Sequence, residues 1–145
     1  MNVRVLLRIA AVLSLLYFLG HSAGMPWTPS PGGESTPVVG AMKSVHFDVS
    51  GSVRTYWDFY QGFGLMVSVF LLLESVLLWL LAGIARQEPA RVMPFVVAFL
   101  IANIAQLALV IRFFFLPPLV LSVANTLCLG IAAWMARPRY APTRS

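Results

Sequence analysis

The stretch Tyr56-Trp57-Asp58-Phe59-Tyr60-Gln61-Gly62-Phe63-Gly64 opens an apolar run that reaches residue 85 and is interrupted only by Ser68, Glu74 and Ser75. A helix rises about 1.5 Å per residue, so about 20 apolar residues cover the roughly 30 Å hydrocarbon layer of a bilayer. Ahead of that run, Tyr56, Trp57 and Tyr60 surround the carboxylate of Asp58. Rings with polar tips settle at headgroup depth. The segment therefore reads as a helix that leaves a watery loop, passes the headgroups and enters lipid, which makes this an all-α membrane protein.

Composition points the same way. Of 145 residues, 59% are hydrophobic and 10% charged, whereas a soluble domain carries about a quarter charged residues. A water-facing coat cannot be built from this chain. The net charge of +5 comes from nine arginines and one lysine, a balance that suits nucleic acid in a soluble protein. Here the arginines sit at the ends of apolar runs, where they orient helices in the membrane. Lipid, and not nucleic acid, is thus the expected partner. The single cysteine, Cys128, lies inside an apolar run, which excludes an intrachain disulfide and a Cys-x-x-Cys pair.

Toward the N-terminus, residues 3–24 form a first span. Its uninterrupted core, residues 9–20, is twelve residues long, but Arg4 and Arg8 can snorkel to one interface and His21 reach the other. Ser14, Tyr17 and His21 share a face at about 100° per residue, which suits a retained helix. The alternative is a cleaved signal peptide, with a basic start, an apolar middle and small residues at Ser22-Ala23-Gly24. In the loop 25–60, residues 26–37 hold four prolines and two glycines and should be irregular. Thr36-Pro37 marks the start of a short amphipathic helix over 37–46 with Val38, Val39, Met42 and Val45 as its apolar side. Residues 47–51 break it, and Ser52 caps a second long helix that starts near Val53 and spans the bilayer over 61–85.

Toward the C-terminus, residues 86–91 make a tight polar turn with Pro89 placed to start a helix. A third span covers 92–115, Leu116-Pro117-Pro118 forms a short turn, and a fourth span covers 117–136. The prediction is one membrane domain, a four-transmembrane-helix up-down bundle with a short helix in its first extracytoplasmic loop. Seven basic residues (Arg4, Arg8, Arg86, Arg91, Arg137, Arg139 and Arg144) fall at the termini and second loop, against Lys43, Arg54 and Arg112 on the other side. The positive-inside rule puts both termini in the cytoplasm and the aromatic loop outside.

Two polar groupings follow. The outer one gathers His21, His46, Arg54, Asp58, Gln61 and Arg112 beneath the rim of Tyr56, Trp57 and Tyr60. On a helical wheel Arg54, Asp58, Gln61, Ser68 and Ser75 share one side. Such a set can bind a polar headgroup or, with burial, do acid–base work. The plainer alternative is that Asp58 pairs with Arg54 or Arg112 and fixes the loop. The inner grouping is Glu74, Asn103, Gln106 and Asn125. Glu74 lies roughly 16 Å below Phe63 at the helical rise, near mid-bilayer. A carboxyl there either serves function, as a proton carrier, an amine binder or a carbocation stabiliser, or is interhelical glue. Two histidines without His-x-x-x-His or Glu-x-x-His spacing give no metal set, and no cofactor is expected. A phosphate-cradling glycine loop, a Gly-x-Ser-x-Gly elbow and His-Glu-x-x-His are all missing from the sequence.

Through Gly20-His21-Ser22-x-Gly24, residues 42–47, and Arg54-Thr55-Tyr56-Trp57-Asp58-Phe59-Tyr60-Gln61-Gly62-Phe63-Gly64-Leu65, the chain resembles an uncharacterised family of small bacterial four-helix integral membrane proteins. The resemblance implies a bacterial inner-membrane location and gives weight to His21 and the aromatic run; it brings no reaction. A looser likeness, carried by Glu74 and the general layout, is to sterol-isomerase-like four-helix proteins. The leading expectation is an outward-facing polar pocket for a small amphipathic or lipid-like ligand, with His21, Asp58 and Arg112 at its mouth and Glu74 as its floor. Two alternatives stand beside it. One is an intramembrane enzyme acting on a lipid or quinone through Glu74 or His21; the other is an accessory subunit of a larger membrane complex or a homo-oligomer.

Overall fold

Helices dominate the computed structural model, which describes residues 2–24 and 35–137. In chain order the elements are α1 (Val3–Gly24), α2 (Ser35–Ser44), β1 (His46–Val49), β2 (Ser52–Thr55), α3 (Tyr56–Ile84), α4 (Pro89–Phe113) and α5 (Leu116–Met135). Four of them, α1, α3, α4 and α5, are long and apolar enough to cross a membrane. The all-α class is as expected. Leu116-Pro117-Pro118, expected as a turn, is instead the first turn of α5, because proline suits the first positions of a helix. There is one departure in the loop before α3. Most of the proline-rich stretch, residues 25–34, and the arginines at 139 and 144 lie outside the described residues.

The departure is a two-stranded antiparallel hairpin where the sequence reading placed a break and then the first turn of a helix. Strands β1 and β2 pair from His46 opposite Thr55 to Val49 opposite Ser52. That leaves Ser50-Gly51 as a two-residue turn with φ of 53° and 83°. Positive φ at both central residues is the type I′ geometry, whose twist matches that of the flanking strands. The Asp48 carboxylate braces it by accepting the Gly51 amide at 2.9 Å. Ser52 is therefore a strand residue, not a cap, and Arg54 leaves the helical face it was expected to share with Asp58.

The helix cap is Thr55. Its hydroxyl oxygen accepts the Asp58 amide at 3.2 Å, while Asp58 Oδ2 accepts the Thr55 amide at 2.8 Å and the Thr55 hydroxyl at 2.9 Å. This is a reciprocal capping box, Thr-x-x-Asp, that satisfies two backbone amides left over where strand becomes helix. Losing such a cap costs about 1 kcal/mol.

Two compact units divide the chain: Met1–Tyr17 with Leu71–Ser145, and Phe18–Phe70. Within the first, the interhelical core is made of Leu6, Leu7, Ala10, Leu78, Ala82, Val92, Val96, Leu129 and Ala132. The alanines, including Ala132 and Ala136 one turn apart and both buried, let backbones approach closely, the main source of packing contact between helices in lipid. Burial is inverted relative to a water-soluble protein. Ser14, Ser75, Asn103, Ser122 and Asn125 are buried, while Ile101, Ile111, Phe113 and Trp134 are each more than 60% exposed. A buried-polar, exposed-apolar distribution is compatible with a multi-pass membrane protein. Within the second unit, α2 presents Val39 and Met42 as half-buried residues and leaves Val38 exposed; Val45, expected on the same helix, follows its end and is exposed too.

Candidate functional sites

In the first unit each of the four long helices sends one polar side chain to a common point. Asn103 of α4 donates from Nδ2 to Glu74 Oε1 of α3 at 2.6 Å and to its own helix at the Phe99 carbonyl at 3.0 Å. The Asn125 amide of α5 lies 3.0 Å from Ser14 Oγ of α1, 3.1 Å from Asn103 Oδ1 and 3.4 Å from Glu74 Oε1. Three of the four residues of the expected inner grouping thus meet. Gln106 is half-buried and hydrogen-bonds to none of them; Ser14 takes the fourth place. Asn125 Oδ1 and the neighbouring Ser122 hydroxyl are buried without a hydrogen-bond partner among the described residues. Chemically, the cluster offers one carboxyl held by two amide donors. That suffices to lock four helices, and it also holds a proton-exchanging group in a fixed place.

The aromatic motif at 56–64 lies in the second unit. Trp57 is 7% exposed, so it is not an outward belt residue. The Lys43 ammonium of α2 stands 4.7 Å from the centre of the Trp57 ring and Tyr60 stacks 5.4 Å away. Phe47 of the hairpin meets Tyr56 in a tilted contact at 4.8 Å and stacks on Phe59 at 5.8 Å, and Phe59 makes a further tilted contact with Phe63 at 6.0 Å. Tyr56 and Tyr60 themselves stay exposed. A groove of about 250 Å³ runs along this face, lined by Arg54, Asp58, Phe59, Gly62, Phe63 and Met66. Arg54, from the end of β2, turns one guanidinium nitrogen to its neighbour's carbonyl, Val53 O, at 2.7 Å. The groove therefore carries a guanidinium and a carboxylate, from Arg54 and Asp58, and is apolar along the rest. A Cβ built at Gly62 meets nothing within 4 Å.

Other predicted site residues have structural partners. His21 donates from Nε2 to the Gly64 carbonyl of α3 at 3.0 Å, and Ser22 and Ser68 hydroxyls meet at 2.9 Å one turn further. His46 donates from Nδ1 to the Ser44 carbonyl at 2.9 Å. Gln61 is half-buried and does not line the groove. Arg112 belongs to the first unit, where its guanidinium lies 5.5 Å from the ring of Phe113. Among the described residues, no three His, Cys, Asp or Glu side chains gather into a metal-holding set. The sequence reading missed the Thr55–Asp58 box, although [ST]-x-x-[DE] before an apolar run is its signature. It also missed Ser14 as a partner of Asn125, for which no local pattern exists.

No protein-family model matches the chain, and no curated protein or solved structure matches it either.

Proposed function

We propose that the protein binds a small amphipathic, lipid-like ligand in the groove along the first turns of α3, in the inner membrane of a bacterium. Both termini face the cytoplasm in this proposal, and the groove faces outward. The observation that carries it is the groove's polarity. Arg54 and Asp58 offer a guanidinium and a carboxylate to a polar headgroup, while Phe59, Phe63 and Met66 offer an apolar wall to the body of the ligand. Few precisely placed polar groups on a mostly apolar concavity is the usual make-up of a small-molecule site. Compared with the pocket expected from sequence, the proposal is narrower. It rests on residues 54–66; His21 supports Gly64 and Asp58 supports the helix start.

Native mass spectrometry of the protein extracted gently from its membrane tests this. Wild type should carry a bound small amphiphile, and Arg54→Gln and Gly62→Leu should both lose it while melting at the wild-type temperature. Gly62→Leu adds bulk to the groove lining at a position where a Cβ has no atom within 4 Å. Retention of the amphiphile by both variants would remove the basis of the proposal.

A second reading keeps Glu74 as the acid or base of an intramembrane reaction on a lipid or quinone. Its support is a carboxyl held in place by Asn103 and Asn125, beside an Asn125 Oδ1 that has no hydrogen-bond partner among the described residues. The two readings differ in which substitution matters: Gly62→Leu for the first, Glu74→Gln for the second.

A further inference from the structure

A second, separate groove of about 370 Å³ lies in the first unit, between one face of α1 and one face of α3, and is walled by Val12, Leu15, Leu72, Val76 and Trp79. Its floor is closed where the Ser75 hydroxyl donates to the Ala11 carbonyl at 2.8 Å. Satisfied internally, that polar pair leaves the wall apolar. Continuing along α1 toward its start, Arg8 and Arg4 follow Val12 at successive four-residue steps, so the three share one face of the helix. Arg8 packs its guanidinium 4.8 Å from the centre of the Trp79 ring. One residue thus belongs to both features, because Trp79 lines the groove and carries the cation.

The two arginines are incompletely answered by the protein. The Nε of each is buried without a hydrogen-bond partner among the described residues. Of the carboxylates in this unit, Glu88 pairs with Arg91 at 2.9 Å and Glu74 is held by Asn103 and Asn125. A ring face tempers a cation but does not neutralise it. Two arginines one helical turn apart, on the face of α1 that continues from the apolar groove, call for a phosphate-type oxyanion, which a guanidinium binds through two parallel N–H donors, here those of the terminal nitrogens because each Nε is buried.

We propose that this groove is a binding site for an anionic phospholipid. One acyl chain lies between Val12, Leu15, Leu72 and Val76, the glycerol region passes Trp79, and the phosphodiester rests on Arg8 and Arg4. The spacing suits a lipid lying in its own leaflet: Leu15 is seven residues from Arg8, or about 10 Å deeper at the helical rise. Charge selects the headgroup, since basic residues between transmembrane helices recognise anionic lipids of the leaflet they face. The site is independent of the α3 groove at Arg54, and either can fail without the other.

The test is native mass spectrometry of the full chain in detergent, titrated with phosphatidylglycerol and, in parallel, phosphatidylcholine of the same chain length. Wild type should bind phosphatidylglycerol about tenfold more tightly than phosphatidylcholine, and the double variant Arg4→Gln/Arg8→Gln should reduce that preference to near unity. Val76→Phe keeps both arginines but fills the groove, and should weaken both lipids together. Glycerol 3-phosphate at millimolar concentration should not displace the bound lipid. Equal affinity for the two lipids in wild type would overturn the proposal. So would a preference that survives the double arginine variant, or unchanged binding in Val76→Phe. Displacement by glycerol 3-phosphate would show that a free phosphate suffices and would overturn the lipid assignment. Should the double variant fail to fold, the Val76→Phe and headgroup comparisons still decide the matter.

Discussion

Glu74 is the residue whose surroundings carry the most consequence. Its Oε1 takes both amide donors, from Asn103 and Asn125, and an amide oxygen in the same place accepts the same bonds. Glu74→Gln should therefore melt within about 1 kcal/mol of wild type in detergent, while Asn103→Leu, which removes a donor and strands the carboxyl, should cost about 1–2 kcal/mol. Equal destabilisation by both variants would mean that the carboxyl contributes something an amide cannot. Wild-type stability in Glu74→Gln combined with loss of turnover on an identified lipid would favour the enzyme reading. Glu74, Asn103 and Asn125 were readable as a group because polar residues in apolar spans have few places to go. Ser14 was not, because its partner Asn125 is 111 positions away and helix-face periodicity links Ser14 equally well to Tyr17 and His21. Asp58 has a role its rings did not announce, besides lining the α3 groove. The rings around it suggested a ligand, yet Thr55, three residues earlier, already holds Oδ2.

Among the elements, the long helices were legible and the hairpin was not. Runs of apolar residues bounded by Pro89 and by Leu116-Pro117-Pro118 leave few choices for where α4 and α5 begin. The four-residue strands are too short for alternation to stand out, and the signal that mattered was the Ser50-Gly51 pair. Gly51 sits at φ 83°, in the left-handed region where a Cβ is penalised by about 1–2 kcal/mol. Gly51→Val should accordingly raise amide exchange across residues 52–55, whereas Gly51→Asn, a residue that tolerates this conformation, should leave protection near wild type. Hydrogen exchange followed by mass spectrometry reads both; identical exchange in the two variants would place the turn's stability elsewhere.

For the molecule as a whole, composition alone announced lipid as solvent, and the inverted burial gives that statement a spectroscopic form. Trp134 and Trp79 are 68% and 50% exposed, while Trp57 is 7% exposed beneath Lys43. In single-tryptophan variants reconstituted with brominated phospholipid, Trp134 and Trp79 should be strongly quenched and Trp57 only weakly. Strong quenching of Trp57 would mean that α2 does not cover it in the bilayer. Thr55 has a mechanical meaning beyond its hydrogen bonds. It pairs with His46 as the last rung of the hairpin and caps α3 as well, so strand and helix share a joint with no linker and no slack. A displacement of the hairpin tip is therefore passed to the start of α3 and is not taken up by a flexible linker. Because Arg54 rides on one arm and Phe59, Phe63 and Met66 on the other, the angle of that joint sets the gap across which a ligand would have to fit.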